Sequence, residues 1–404
     1  MPMPAADAPV NPEDRHRLID ALRGFALAGV LLANLGYLSL YDLLAEPARA
    51  ALPTARFDTI AVGVIEWLVS AKAITVFSLL FGLGFAIQIE RAQARGAGLA
   101  RFVRRLCWLL VIGAAHGYFV WWGDILMTYA LVGLVLVLFR RASDGVLLWG
   151  GLFIALVLPT LLGPWLGGVF PGLPPRSEID AQALQAFRVD DWHRVFTANA
   201  ALVNWTRLSG GMLICFVLGR FLLGYWAGRK RLLQQPRLHE RLFRRLFWGS
   251  LAIAVAGTLL QLAKAHLGWG AEILPRWVNG FLFRLDSLAL GISWAAGFIL
   301  LFLRPRGARV LGVLAPVGRM ALTLYLSQSL LGIALFYGIG AGLGPDTGAI
   351  GWLLAWVGIF GAQILFSHWW LARFRYGPCE WLWRSLTYGA PQPMRLPRAA
   401  VAAS

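Results

Sequence analysis

The sequence predicts an all-α membrane protein, a polytopic bundle of about ten transmembrane helices with both termini in the cytoplasm. Three observations predict this class. The chain of 404 residues is 58% hydrophobic and only 14% charged, its mean hydropathy is +0.65, and long apolar stretches recur along it. Soluble domains carry about 25% charged residues, so this composition excludes the soluble classes.

Ten apolar segments follow one another along the chain. They are predicted at residues 18 to 40, 59 to 89, 105 to 122, 124 to 139, 145 to 163, 204 to 228, 242 to 263, 277 to 303, 311 to 338 and 349 to 371. The second segment, of about 31 residues, is longer than a bilayer requires at about 1.5 Å per residue, so it must tilt, kink or break. Lys72, near its middle, is the predicted place of the break.

The basic residues predict the topology. They are concentrated in alternate connections between the spans, which the positive-inside rule assigns to the cytoplasm. Residues 15–390 then form a single transmembrane domain with an external loop at 164–203, between a disordered cytoplasmic N-terminus, 1–14, and a disordered cytoplasmic tail, 391–404. The net charge of +17 is explained by topology and by contact with membrane lipids, so nucleic acid is not expected as a partner.

Two local patterns complete the outline. In the external loop, Ser177 followed by Asp180 predicts a capped helix that ends near Phe187 and lies on the outer surface, as a lid or as a simple connector. The three cysteines, at positions 107, 215 and 379, have no paired spacing, so neither a disulfide framework nor a metal site is expected.

The first span begins with three charged residues. Arg17, Asp20 and Arg23 are three residues apart, a spacing that lets Asp20 neutralise both arginines along one helix face. Asn34 returns to nearly the same face, roughly 16 Å further along. Charges inside a membrane are costly and therefore indicate function, but an ion pair that only positions the helix is an equally good explanation.

The turn between the third and fourth spans runs from His116 to Asp124. Trp121 and Trp122 in this turn fit an interfacial aromatic belt at the outer rim. Asp124 follows His116 across a tight reversal, where a carboxylate can orient the imidazole, as it does in general bases. A histidine that only satisfies hydrogen bonds is the structural alternative.

Later spans contribute further polar side chains. Arg284 and Asp286 point to different faces of the eighth span, and Asp286 is a candidate partner for His116 or Lys72. The ninth span carries Arg319, Thr323 and Ser327 at every fourth residue, a stripe that suits either helix packing or a substrate groove.

Five ordered motifs, at residues 17–25, 77–85, 116–126, 318–329 and 377–389, resemble the YeiB-like family of bacterial membrane proteins, a domain of unknown function whose C-terminal region corresponds to about 230–390. That family is similar to a broader group of transmembrane acyltransferases, including sugar O-acyltransferases and the lysosomal heparan glucosaminide acetyltransferase. The likeness lies in Asp20-Ala-Leu-Arg23-Gly24. Many O-acyltransferases carry a histidine fourteen residues after this aspartate, where this chain has Asn34, so His116 is the substitute candidate.

The resemblance implies a membrane acyltransferase of the bacterial cytoplasmic (inner) membrane that moves an acyl group from cytoplasmic acyl-CoA to an envelope glycan or lipid acceptor. No bound cofactor is expected, and acyl-CoA is a co-substrate. The candidate catalytic residues are His116, Asp124, Asn34, Asp286 and Arg284, with Asn34 or Arg284 stabilising the oxyanion. The candidate substrate-binding residues are Arg17, Asp20, Arg23, Lys72, Arg220, Arg319, Thr323 and Gln328. A transporter or flippase of an anionic amphiphile and a non-catalytic scaffold remain open as alternatives.

Overall fold

The computed structural model describes residues 17–94, 98–166, 170, 172–266 and 275–396, which are mostly helical. The helices are α1 (Arg17–Leu38), α2 (Glu46–Ala50), α3 (Ala55–Leu68), α4 (Lys72–Ala94), α5 (Ala100–Phe119), α6 (Leu126–Leu136), α7 (Leu158–Leu166), α8 (Arg176–Phe187), α9 (Trp192–Ser209), α10 (Gly211–Arg229), α11 (Glu240–His266), α12 (Arg276–Phe302), α13 (Pro305–Leu311), α14 (Ala315–Arg319), α15 (Ala321–Phe336), α16 (Gly348–Leu371) and α17 (Pro378–Tyr388). Two π-helical turns, Val146–Gly150 and Phe153–Val157, lead into α7. The prediction of an all-α fold is therefore confirmed.

Among the described residues, seven helical segments are long and apolar enough to cross a membrane, or eight if α13–α14 and α15 form one span. The chain is a multi-pass membrane protein, as its composition predicts. The predicted number of ten is not confirmed. The predicted third and fourth spans correspond to α5, which carries three arginines in its first two turns, and to α6, which has 11 residues, and neither is among the seven.

The long second span is interrupted next to Lys72. Helix α3 ends at Leu68 and α4 begins at Lys72, and Ala71 between them has a φ of 63°. The Lys72 ammonium donates to the carbonyl oxygen of Glu66 at 3.1 Å and pairs with the Asp286 carboxylate at 3.1 Å. The lysine thus satisfies a carbonyl that the end of α3 leaves free and ties the break to α12.

The described residues of the predicted external loop at 164–203 contain more helix than the one segment that the sequence predicts. They include α8 and most of α9, and Gly210 separates α9 from α10, so the sixth span begins at Gly211 rather than at residue 204. Helix α8 ends at Phe187 as predicted, but no side chain caps its start. Asp180 instead accepts a hydrogen bond from Arg176 at 2.7 Å, and Phe187 is buried, so α8 packs onto the bundle.

The ninth predicted span is broken. The segment Pro305–Arg319 is bent by 80° relative to α15, and Met320 lies at the bend. Arg319 and Thr323 therefore lie on different helices, and the predicted stripe of Arg319, Thr323 and Ser327 does not run along one face. The break creates a free helix N-terminus inside the protein, at the start of α15.

Part of the predicted disordered tail is packed against the protein. The backbone of Met394 accepts from Arg375 at 2.9 Å, Leu396 donates to Arg373 at 3.2 Å, and the Gln392 carbonyl accepts from the Trp381 indole at 2.6 Å. Because these bonds join residues 391–396 to the segment around α17, the sequence prediction fails there. The remaining predicted disordered residues, 1–14 and 397–404, lie outside the described part of the chain.

Helices α4 and α10 pack closely because each presents a glycine to the backbone of the other. A Cβ atom at Gly82 would overlap the carbonyl oxygen of Phe221, and one at Gly224 would overlap that of Leu79. Small residues at such positions let membrane helices approach closely. This contact forms one wall of the region that holds the candidate site.

Candidate functional site

A cavity of about 790 Å³ runs through the bundle between α1, α4, α5, α6, α15 and α17. Helix α1 lines it along most of its length, with Arg23 near one end and Asn34 near the other. These residues are 11 positions apart, which corresponds to about 16 Å along a helix. The middle of the cavity is apolar, with Leu27, Val30 and Leu109 among its walls. It therefore suits an elongated amphiphilic molecule rather than a compact polar one.

One end of the cavity is rich in arginine. We call it the α17 end and define it by the lining residues Asp20, Arg23, Gln88, Arg91, Arg105, Arg319, Glu380, Trp383 and Arg384. Its five arginines exceed its two carboxylates. Asp20 accepts from Arg23 at 2.8 Å, and Arg23 also donates to the Gly318 carbonyl at 3.2 Å. The excess of guanidinium groups makes this end positive.

Aromatic rings hold two of these arginines. The Arg105 guanidinium lies 4.1 Å from the ring centre of Trp383, whose indole donates to the Arg105 carbonyl at 2.8 Å. The Arg384 guanidinium lies 4.7 Å from the ring of Tyr376 and 5.5 Å from that of Tyr388. Cation–π contact uses the face of a guanidinium, so its N–H groups can still donate in the plane of the group. Arg105 donates to the Gln88 side-chain oxygen at 3.3 Å, whereas Nε of Arg384 has no hydrogen-bond partner among the described residues.

Glu380 connects α17 to the broken ninth span. One carboxylate oxygen accepts from the backbone N–H groups of Leu322 and Thr323, at 2.6 and 3.1 Å, and the other accepts from the Thr323 hydroxyl at 2.6 Å. Burial raises the pKa of Glu380, and the hydrogen bonds from Thr323 and Leu322 oppose that rise. The carboxylate caps the N-terminus of α15 and so fixes α17 at the cavity.

The other end contains the His116–Asp124 pair. We call it the Asp124 end and define it by the lining residues Asn34, Tyr37, Trp121, Trp122, Asp124, Thr206, Arg207 and Tyr325. His116 Nδ1 lies 2.9 Å from Asp124 Oδ2, as the sequence predicts. His116 itself lies one layer behind the cavity wall, in contact with Asp124 and with Tyr325, whose ring centre is 5.4 Å from that of the imidazole.

Both members of the pair are buried. The side chain of His116 is 3% exposed and that of Asp124 is 0% exposed. Asp124 Oδ1 accepts from the backbone of Met127 at 2.9 Å and so caps α6. The Nε2 atom of His116 has no hydrogen-bond partner among the described residues. With Nδ1–H donated to the carboxylate, this nitrogen keeps a free lone pair.

Two side chains from α9 hold the turn that carries Asp124. Arg207 donates to the Asp124 carbonyl at 2.8 Å and to the Thr128 hydroxyl at 2.6 Å. Asn199 donates to the carbonyls of Gly117 and Tyr118, at 2.8 and 2.9 Å, and accepts from the Trp122 N–H at 2.7 Å. Neither residue was selected from the sequence, because Asn199 falls in the predicted external loop and Arg207 falls within the sixth predicted span.

The structure brings some predicted site residues together. Asp20, Arg23, Asn34, Asp124 and Arg319 line the same cavity, and His116 adjoins it. The other seven lie elsewhere. Arg17, Lys72, Arg220, Arg284, Asp286, Thr323 and Gln328 are not among the cavity-lining residues.

Arg284 and Asp286, which were grouped with His116 as candidate catalytic residues, bind other groups and are not among the cavity-lining residues. Asp286 pairs with Lys72, the second of its two predicted partners. Arg284 donates to the Leu156 carbonyl at 3.2 Å and to the Thr160 hydroxyl. The two side chains of α12 thus contact different elements, because a spacing of two residues points them to different faces of the helix.

The remaining misplaced residues make packing contacts. Arg220 is fully buried between α4 and α10 and donates to the Thr75 hydroxyl at 2.7 Å and the Phe216 carbonyl at 3.0 Å. Gln328 donates to Gln363 of α16 at 2.9 Å. The Arg17 guanidinium lies against Gly312, between α13 and α14. The Thr323 hydroxyl donates to Glu380.

Four charged residues of the α17 end were not selected from the sequence. Arg91, Arg105 and Arg384 were assigned to the topological charges of cytoplasmic connections, and Glu380 was noted only within the last family motif, which also contains Arg384. Position in that motif was the available signal for Glu380 and Arg384. Only the fold shows that α4, α5 and α17 end at the same place.

The fold and the cavity define a multi-pass helical membrane protein with an amphiphilic internal chamber. The profile described as Protein of unknown function (DUF418) matches residues 227–390. The chain is 30% identical over 408 residues to "Uncharacterized protein YxaH" of Bacillus subtilis (strain 168), covering 96% of this chain and 97% of that protein. It is 33% identical over 405 residues to "Uncharacterized protein YeiB" of Escherichia coli (strain K12), covering 94% and 98%. The chain belongs to the YeiB-like DUF418 family, as the motifs predict.

Proposed function

We propose that this protein is a membrane-bound acyltransferase that moves an acyl group from acyl-CoA to a cell-envelope acceptor. One observation carries the proposal: a single cavity connects the arginine-rich α17 end with the wall that the His116–Asp124 pair supports. Such a cavity can hold an anionic donor at one end and present its reactive group at the other. Its apolar middle accommodates the chain between them.

In this proposal the α17 end faces the cytoplasm of a bacterial inner membrane, with both termini on that side. The concentration of basic residues in the connections at this end supports that orientation. The phosphates of CoA bind the guanidinium groups of Arg105, Arg384 and their neighbours, because planar guanidinium forks match phosphate oxygens. The acyl thioester then extends along α1 towards Asn34.

The proposed chemistry uses His116 as a general base. Its Nε2 accepts the proton of an acceptor hydroxyl or amine while the acceptor atom attacks the thioester carbonyl. The new bond to the acyl carbon forms, the C–S bond breaks, and the proton passes from His116 to the departing CoA thiolate. Because His116 lies behind the wall, the mechanism requires Tyr325 to move when substrates bind.

The test is acyl transfer by the purified protein in lipid nanodiscs, with labelled acyl-CoA and cell-envelope extract as acceptor. His116→Ala should lower the rate by about 10²- to 10⁴-fold, the usual contribution of a general base. Asp124→Asn should also lower it, since Asn keeps an oxygen for the Met127 N–H but no longer holds the imidazole by charge. His193→Ala, at an exposed position on α9, is the matched control. Full transfer by the His116 variant would remove this residue from the mechanism.

A transporter of an anionic amphiphile is the second candidate, because Arg207 at the Asp124 end and the five arginines at the α17 end place cationic groups at both ends of the cavity. Proteoliposomes should then move a fluorescent anionic lipid between leaflets without consuming acyl-CoA. His116→Ala should leave that movement unchanged, whereas Arg384→Gln should slow it. Consumption of acyl-CoA that depends on His116 would decide in favour of the enzyme.

A further inference from the structure

The Asp124 end contains polar atoms without partners. Trp121 Nε1, Trp122 Nε1, Arg207 Nε and the Thr206 hydroxyl are all buried and make no hydrogen bond with any described residue. All four residues line the cavity. Buried polar atoms are nearly always hydrogen-bonded in folded proteins, so a group of unpaired ones at a single place requires an explanation.

These unpaired atoms are mainly donors. An indole N–H and an arginine Nε–H can only donate, and a hydroxyl can donate or accept. The hydroxyl of Tyr325, which accepts from the Ile125 N–H at 3.2 Å, also retains its own proton to donate. The Asp124 end therefore offers several hydrogen-bond donors that have no acceptor among the described residues.

Most acceptors at this end are already used, and the Asn34 amide, which can donate or accept, is the exception among the polar side chains named here. The two carboxylate oxygens of Asp124 accept from His116 and Met127, and its carbonyl accepts from Arg207. The side-chain oxygen of Asn199 accepts from Trp122, and the Thr128 hydroxyl accepts from Arg207. A ligand group that carries its own protons, such as a sugar hydroxyl, would find few acceptors here.

From this imbalance we propose that the Asp124 end binds an oxyanionic group, a phosphate or a carboxylate, carried by an amphiphile whose chain lies in the apolar middle of the cavity. Such a group has several acceptor oxygens and needs few acceptors itself. It can therefore accept hydrogen bonds from the two indoles, Thr206 and Arg207 together. Leu27, Val30 and Leu109 line the path along which its chain would lie.

This anion site is distinct from the α17 end and can be tested without any reaction. If the proposed acyltransferase function is correct, the oxyanion belongs to the acceptor, and one cavity holds an anionic group at each end. That last step rests on the proposed function, whereas the binding site does not. His116→Ala should therefore bind the anion normally even if it transfers no acyl group.

The experiment measures binding to the full chain in nanodiscs by calorimetry, without acyl-CoA. The probes are dodecyl phosphate, dodecyl glucoside with the same chain, and inorganic phosphate. Trp121→Phe removes the indole N–H but keeps an aromatic ring, and Trp192→Phe, at an exposed position, is its control. Arg207→Gln is compared with Arg188→Gln, whose arginine pairs with Asp346 at the surface.

Dodecyl phosphate should bind at least about tenfold more tightly than dodecyl glucoside. Trp121→Phe and Arg207→Gln should each weaken its binding by about 10- to 100-fold, as expected for loss of one hydrogen bond to a charged group. Both control variants should bind as the wild type does. Tight binding of inorganic phosphate would support the oxyanion site and identify a soluble anion, rather than an amphiphile, as its source.

Two results would overturn the inference. One is equal affinity for the glucoside and the phosphate, with no effect of Trp121→Phe. The other is loss of dodecyl phosphate binding in Arg384→Gln but not in the two variants of the Asp124 end, which would place the head group at the α17 end. Arg207 also holds the turn that carries Asp124, so Arg207→Gln could fail to fold. In that case Trp121→Phe alone tests the inference.

Discussion

Glu380→Ala should destabilise the protein more than any surface carboxylate variant. The Glu380 side chain accepts from two backbone N–H groups at the start of α15 and from the Thr323 hydroxyl. Removing it leaves both amides without partners in a buried position, which costs about 1 to 3 kcal/mol for each. The Thr323 hydroxyl can turn to another acceptor, so the expected loss is about 2 to 6 kcal/mol. Helix α17 should also detach more easily, because Glu380 is its main polar link to α15.

The assay is unfolding of the purified protein in mixed micelles, followed by the loss of helical signal as denaturing detergent is added. Glu240→Ala is the matched control, since Glu240 lies at the surface and pairs with Arg244 one turn away. That pair is worth about 0.5 kcal/mol at most. Glu380→Gln keeps one oxygen for the two amides and should lie between the two alanine variants. A loss for Glu380→Ala that equals the control would show that the capping interaction does not stabilise the fold.

Three further changes test other parts of the structure. Gly82→Ala should destabilise by about 1 to 3 kcal/mol, because a Cβ there meets the facing α10 backbone, whereas Gly84→Ala, with open space on the same helix, should be neutral or stabilising in the same unfolding assay. Lys72→Met should cost about 3 to 5 kcal/mol by leaving Asp286 unpaired, and adding Asp286→Leu should recover most of the loss in a double-mutant cycle. Burial raises the pKa of Asp42 from 3.8 to about 6, so the folded state binds a proton more tightly than the unfolded state, and stability should rise as the pH falls through 6 towards 4. Asp42→Asn should remove that part of the pH dependence, and an unchanged slope of melting temperature against pH would contradict this assignment.

Several elements could be predicted from the sequence because they depend on local patterns. The break beside Lys72 follows from a span that is too long and from a charge at its centre, and the structure places the interruption at that lysine. The His116–Asp124 contact follows from a tight turn that separates the two residues by eight positions. The bend before α15 was missed, although Pro316 and Gly318 precede it, because the cap that stabilises the free helix start comes from Glu380, far along the chain.

The grouping of Arg284 and Asp286 with His116 illustrates the limit of sequence reasoning. The grouping rested on the predicted depth of these residues in the membrane, which the sequence places in the outer half for all three. Which helix lies beside α12 depends on packing. In the structure Asp286 pairs with Lys72, and Arg284 donates to the Leu156 carbonyl, just before α7. Arg105 and Arg384 show the opposite case, since they carry topological charge in the sequence and become cavity residues only in the fold.

The sequence by itself determined that this is an α-helical membrane protein of the YeiB-like family, because hydrophobic length and short motifs are properties of neighbouring residues. The tertiary structure decided where the charges act. In the fold, α17 packs over the start of α15. Arginines from α1, α4, α5 and α17 lie at one end of the cavity, and unpaired donors from the α5–α6 turn and α9 lie at the other. The physical reason is that buried polar groups need partners from other helices of the bundle, and many of these partners are distant in the chain, as Lys72 and Asp286 are.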